Sequence, residues 1–157
     1  MTGNNIMQKT SDRQARKYTI TLNNPLDMIP PMTHEQIKKS IGELGSVTYW
    51  CMADEVGLKE QTPHTHIYLY SASPIRFSTI KRRFNQGHIQ SAYGSSAENR
   101  DYILKAGKWK NTAKTETSVP GTFEEFGIMP KETMSEKGEF QFIYDMIESG
   151  MSTAEIL

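Results

Sequence analysis

The chain has 157 residues, 36% of them hydrophobic, and its 18 basic residues balance 18 acidic ones. That length suits one domain with a core of its own, and the low apolar content predicts disordered ends. The single Cys51 excludes an intramolecular disulfide framework and a cysteine-based zinc cluster, and no run is long and apolar enough to cross a membrane. The neutral total hides a division. Residues 1–114 carry 16 Lys/Arg against 9 Asp/Glu, and residues 115–157 carry 2 against 9. A basic body with an acidic tail predicts a polyanionic partner for the body.

Residues 1–16 are polar and aperiodic and read as a disordered basic arm. From Lys17 the chain alternates, with Tyr18, Ile20 and Leu22 inward and Thr19, Thr21 and Asn23 outward, which predicts a strand that Asn24-Pro25 ends. Thr33 with Gln36 has the spacing of a capping box for a helix carrying Ile37, Ile41 and Leu44, stopped by Gly45. Val47 to Glu55 alternates again as a second strand, and Val56 to Pro63 is a polar turn. The third strand follows and ends before Pro74. Arg76 to Phe84 reads as a helix with Phe77, Ile80 and Phe84 inward and Lys81, Arg82 and Arg83 as a basic cluster. A short strand over Gly87 to Ala92 precedes a helix capped by Ser95 or Ser96, running through Tyr102 and Lys105 to Gly107. Residues 115–136 read as a linker or peripheral strand. From Lys137 a helical stripe of Phe140, Ile143, Tyr144 and Ile147 opens a C-terminal region over 137–157. The order β-α-β-β-α-β-α predicts an α+β fold, antiparallel strands with helices on one face.

The third strand holds the chemistry. In Pro63-His64-Thr65-His66-Ile67-Tyr68-Leu69-Tyr70, a period of two puts His64, His66, Tyr68 and Tyr70 on one face and Thr65, Ile67 and Leu69 on the other. Two imidazoles at that spacing can reach one divalent metal, and a hairpin would bring the Glu55 carboxylate to the same spot. A Glu/His/His set suits Mn²⁺ or Mg²⁺ when positions stay open for phosphate and water, and imidazole also suits Zn²⁺. The expectation is one ion-sized site on an open sheet face. Tyr102 and Lys105 share a helix face at i, i+3; a tyrosine can serve as a covalent nucleophile, and a lysine can hold a phosphate or make an ordinary salt bridge. A pair of half-exposed histidines on a sheet is the bland alternative to a ligand set.

The ordered combination Tyr18-Thr19-Ile20-Thr21-Leu22-Asn23-Asn24, then Glu55 with Pro63-His64-Thr65-His66, then Asp101-Tyr102-Ile103-Leu104-Lys105 resembles the HUH endonuclease domain of rolling-circle replication initiators (Rep). The nearest likeness is to the Rep type of circular single-stranded DNA viruses, such as circoviruses and geminiviruses, and of related plasmids. The resemblance covers roughly residues 17–150. It implies a central antiparallel sheet with flanking helices in RRM-like topology, and an endonuclease core at residues 17–114. It implies Glu55, His64 and His66 as metal ligands for Mn²⁺ or Mg²⁺, Tyr102 as the nucleophile that retains the 5′ end, and Lys105 as the motif lysine. Asn23 and Asn24 close the first motif, which supports the fold and DNA binding. Lys81, Arg82, Arg83, Arg100, Lys108 and Lys110 would join Lys105 along a single-stranded origin DNA. Thr65 departs from the usual hydrophobic residue between the two histidines, and because it faces away from the metal a packing change is expected there.

The expected function is nicking and rejoining of single-stranded origin DNA through a 5′-phosphotyrosine. The same chemistry in a transposase or relaxase, or a non-catalytic RRM-like nucleic-acid-binding module, are the alternatives. The resemblance also implies a cytoplasmic location in a bacterial host, or nuclear in a eukaryotic one. Ser152 and Glu155 look like the start of a further helix, so the expectation is a longer protein that oligomerises through a missing C-terminal region. No Gly-x-x-x-x-Gly-Lys-Ser/Thr loop occurs, so this chain is expected to act without hydrolysing ATP.

Overall fold

A computed structural model describes residues 12–57, 60–110, 117–132 and 136–148. Five strands form one sheet: β1 (Gln14–Asn23), β2 (Val47–Val56), β3 (Pro63–Arg76), β4 (His88–Ser91) and β5 (Glu124–Gly127). Their spatial order is β4-β1-β3-β2-β5, and every neighbouring pair is antiparallel. The first four strands have the expected RRM-like order, and β5 extends the sheet beyond β2. Four helices accompany it: α1 (His34–Gly42), α2 (Phe77–Arg83), α3 (Ser96–Leu104) and α4 (Glu136–Glu148). The architecture is the α+β arrangement expected.

The helices do not sit on one face, as the sequence had suggested. β2 and β3 alternate between two buried faces. Tyr18, Ile20, Leu22, Trp50, Met52, Ile67 and Leu69 pack with Ile37 and Ile41 of α1 and with Ile80 and Phe84 beside α2. Tyr49, Cys51, Ala53 and Tyr68 pack on the opposite face with Tyr102 and Ile103 of α3, Trp109, and Phe142 and Met146 of α4. β1, β3 and β2 lie in the sheet interior with a strand on each side, and β3, at the centre, is the longest. The face carrying the histidines is therefore a second core rather than an open platform. Burial also works on its titratable groups: it pushes the Cys51 thiol up to about 12, so that thiol is inert as a nucleophile.

Local signals set most element boundaries. Thr33 accepts from the Gln36 amide at 3.1 Å, and Ser95 accepts from the Glu98 amide at 3.1 Å, so both predicted caps form. The Gln36 side chain turns to Ser40 instead of closing the box. Three boundaries move. β1 starts at Gln14, because Gln14 and Ala15 pair with Arg76 and Ile75 of a β3 that continues past Pro74. α3 ends at Leu104, and Lys105 is its left-handed cap at φ 63°. On α4 the buried residues are Phe142 and Met146, whereas Phe140 is 74% and Tyr144 49% exposed. Of the predicted stripe, Ile143 packs half-buried against that core while Phe140 and Tyr144 turn outward, since several apolar residues crowd this helix and the tertiary neighbours choose among them. Residues 1–11 of the expected arm, and Ser152 with Glu155, lie outside the described residues.

The β5 edge is tied down by ions and by backbone. His34, at the start of α1, bonds Asp54 of β2 through Nε2 at 2.9 Å and Glu124 of β5 through Nδ1. Burial opposes protonation of His34, but the Asp54 and Glu124 carboxylates outweigh it and raise its pKa above 6.5. A raised folded-state pKa contributes stability that is complete below the unfolded value and lost as pH rises through the folded one. Urea midpoints should accordingly fall as pH is raised from below 6.5, and His34→Gln should flatten that slope. At the end of β5, Gly127 has φ +95°, and a Cβ there would meet the Thr48 carbonyl oxygen at 2.0 Å. Gly127→Ala should cost at least about 1–2 kcal/mol from the backbone conformation alone and loosen β5, read as faster hydrogen exchange at Ile128, whose amide bonds the same oxygen.

Candidate metal and nucleophile site

The register of the β2–β3 hairpin opposes Glu55 to His64, and that of β1–β3 opposes Thr21 to His66 and Asn23 to His64. Because Glu55, His64 and His66 alternate onto the same face, one ligand atom from each comes within 4.8 Å of the others. Glu55 Oε1 lies 3.7 Å from His64 Nε2, and Oε2 lies 3.5 Å from His66 Nε2. These separations are longer than good hydrogen bonds. A shared ion with bonds of about 2.0–2.2 Å would hold neighbouring ligands roughly 3–3.5 Å apart; the Glu55–His66 separation falls within that range and the Glu55–His64 separation is slightly longer.

The outer nitrogens of both rings are engaged. His64 Nδ1 donates to the Thr62 carbonyl at 3.1 Å, which orients the ring with Nε2 facing Glu55. His66 Nδ1 meets Thr21 Oγ1 at 3.1 Å. The donor types and the orientation of the imidazoles fit a divalent cation, so the three residues could hold a metal ion.

Glu55 is 1% exposed and is compensated on both oxygens. Lys105 Nζ donates to Oε2 at 2.7 Å, and Thr117 Oγ1 donates to Oε1 at 3.0 Å. Burial works against its ionisation, yet the His66 and His64 imidazoles and the Lys105 ammonium outweigh burial and hold the carboxyl far below its usual range. Thr117 falls in a stretch expected to be linker or peripheral strand, where no periodic pattern marks it. A single bridge between Glu55 and Ser118 brings it in.

Tyr102 comes from the second turn of α3, with its ring centroid 6.1 Å from that of His66. Lys105 reaches the same place by a route the sequence did not show. It is not on the helix face; its left-handed backbone folds the side chain back, so that Nζ bonds the Tyr102 carbonyl at 2.7 Å and sits 4.2 Å from the Tyr102 ring centre. The helix is held at its other end by Glu132, which accepts from the Ser96 amide and hydroxyl at 2.8 and 2.7 Å and pairs with Lys17 at 3.0 Å. Trp109 packs edge-on against Tyr102, and Phe142 of α4 packs on Trp109. Tyr102 itself is 4% exposed.

The remaining predicted residues divide. Exposed Asn23 lies on the histidine face, and Asn24 adopts a left-handed turn (φ 50°) with its amide on the Pro63 carbonyl at 2.7 Å. Thr65 does face away from the site and donates to Asp54 at 2.7 Å. Lys110 is exposed near the site's face, and Lys108 pairs with Glu98 at 3.4 Å. Arg100 is held by Glu125 through two bonds of 2.7 and 2.8 Å. Lys81, Arg82 and Arg83 lie at the end of α2, under the opposite face from Lys105.

Glu55, His64 and His66 could hold a metal ion at the end of an RRM-like antiparallel sheet, with Tyr102 of α3 and Lys105 of its cap beside them, a grouping similar to the one the motif resemblance implies. No family model matches the chain. The chain is 31% identical over 100 residues to the "Replication-associated protein" of Human associated cyclovirus 1, covering 63% of this chain and 34% of that protein. It is 28% identical over 92 residues to the "Replication-associated protein" of Beak and feather disease virus, covering 59% and 29%. The chain spans about a third of the length of the curated relatives it matches. Relatives, topology and motif order agree with the resemblance drawn from the sequence: the chain is similar to a circovirus-like Rep HUH domain.

A prediction follows from the Glu55–Lys105 pair. Removing one partner of a buried pair strands the other, at a cost of about 3–5 kcal/mol. Lys105→Met should lower the urea midpoint of the metal-free protein by a corresponding amount. Added Mn²⁺ should restore part of it, because the cation would replace the lost positive charge beside Glu55.

Proposed function

We propose that this domain is a replication initiator that nicks and rejoins single-stranded origin DNA through a tyrosine-linked intermediate. The observation that supports this most directly is the convergence of Glu55, His64 and His66 within 4.8 Å, with Tyr102 against His66. Glu55, His64 and His66 would hold a divalent ion, Mn²⁺ or Mg²⁺, which when bound polarises a phosphoryl oxygen and offsets developing charge. The Tyr102 hydroxyl attacks the scissile phosphorus. A tyrosyl O–P bond forms, the P–O3′ bond breaks, and the departing 3′ oxygen takes up a proton as the phenol loses one. The 5′ phosphate stays on Tyr102, and attack by a 3′ hydroxyl reverses the step and rejoins the strand. Lys105 keeps its charge near the Tyr102 ring, where a strand's phosphate would arrive. Asn23, Lys108 and Lys110 are placed to meet the strand on this face.

The entrance is narrow. Between β1, β3, α3 and α4 lies a cavity of about 20 Å³ that touches Thr21, His66, Asn99, Tyr102 and Met146. That is room for one water, not for a phosphodiester. In this reading the α4 end carrying Met146 moves aside as DNA enters.

Mixing the protein with a single-stranded oligonucleotide carrying the origin and Mn²⁺ should yield a covalent adduct, seen as a mobility shift on a denaturing gel. Tyr102→Phe should abolish the adduct while leaving DNA affinity within about twofold; an adduct surviving in that variant would move the nucleophile, with 46%-exposed Tyr93 the next candidate. Met146→Ala should speed adduct formation if α4 limits access, and an unchanged or slower rate would discard that motion.

A further inference from the structure

A second cleft opens on the face away from the metal ligands, at the same end of the sheet. It has a volume of about 270 Å³ and lies between the loop after β1, α1 and the end of α2. Leu22, Met32 and Phe84 give it an apolar floor, all three buried. Gln36, Asn85 and Gln86 stand around it with amide groups that offer both donors and acceptors. Arg82 and Arg83 bring two guanidinium groups to its rim, against one carboxylate, Glu43.

Those arginines are weakly engaged. Arg82 has a single long contact, 3.4 Å to Thr79 Oγ1. Arg83 Nε is shielded from solvent and has no hydrogen-bond partner among the described residues; Glu43 Oε1 lies 3.6 Å away. A shielded donor without an acceptor costs free energy that an incoming anion would recover. The β1 backbone links this cleft to the metal site. Leu22 lines the cleft, and the next residue, Asn23, pairs with His64.

We propose that this cleft is a second DNA subsite, which takes one nucleotide of the strand after it passes round the end of β1 from the metal site. The base lies on the apolar floor with its edge toward the amides, and its phosphates meet Arg82 and Arg83. Guanidinium groups suit phosphate by geometry as well as charge, and an unstacked base suits an apolar floor edged with amides. An acidic peptide would satisfy the arginines but leave floor and amides unused. The subsite presumes that DNA occupies the metal face, and so rests on the proposed function.

The test is fluorescence-anisotropy titration of labelled single-stranded DNA of two lengths, about four and about sixteen nucleotides, onto the intact chain and onto the double variant Arg82→Ala/Arg83→Ala. The short strand contains only the nucleotides around the cleaved bond. The expected result is an affinity loss of about tenfold for the long strand, none for the short one, and a log K against log salt slope shallower by about 1.4 for the long strand, two phosphates at about 0.7 each. Gln36→Ala, which keeps the backbone amide that Thr33 caps, should weaken the long strand alone without changing that slope. An unchanged long-strand affinity, or an equal loss for both lengths, overturns the subsite. Adduct formation on the short strand is read separately. If the unaltered protein forms no adduct but binding still depends on length and on the arginines, the endonuclease reading fails and the subsite stands.

Discussion

The structure depends on one buried carboxylate. Glu55 is almost wholly enclosed, and an ion there loses its hydration at a cost of several kcal/mol. It is tolerated because four groups from three segments converge on it: His64 and His66 from β3, Lys105 from the end of α3 and Thr117 from the chain before β5. Each of those segments is thereby fixed relative to the sheet. The charge that makes a cation site chemically attractive is the same charge that organises the fold around it.

The two-faced sheet explains why the site is enclosed. A sheet of this size buries apolar side chains on both faces only if both are covered, and α1 with α2 covers one while α3, Trp109 and α4 cover the other. The histidines emerge where the second core thins toward the sheet end. Tyr68, two residues further along the same face, is already fully buried and bonded to Ser96. The boundary between core and site thus falls between adjacent inward positions of one strand.

Positioning of α3 is a matter of its two ends. At its start the Glu132 carboxylate accepts from the free Ser96 amide, a favourable place for negative charge, and Lys17 of β1 ties that carboxylate to the sheet. At its end the left-handed Lys105 turns back under Tyr102 and onto Glu55. A non-glycine residue with positive φ is strained unless its surroundings require it. Here the ion pair that the conformation allows gives the reason. The tyrosine is held between two charge-assisted anchors, one at each end of a nine-residue helix.

The sequence by itself determined the first four strands, the helix caps and the Glu55, His64 and His66 grouping. Those signals are local: a period of two, a Thr or Ser three residues before a free amide, and a His-x-His pair whose shared face follows from strand geometry. The tertiary structure alone decided the rest. Whether helices cover one face or both depends on connections over the sheet, and periodicity within an element carries no information on that. The choice of Phe142 and Met146 over Phe140 and Tyr144 was made by Trp109 and Tyr102, which are distant in sequence. Thr117 became a partner of Glu55 across 62 positions, and Lys105 met it across 50, through a backbone conformation that no pattern announced. Spacing along one element names the side chains that can share a face; only the packing of segments far apart in the chain decides what that face meets.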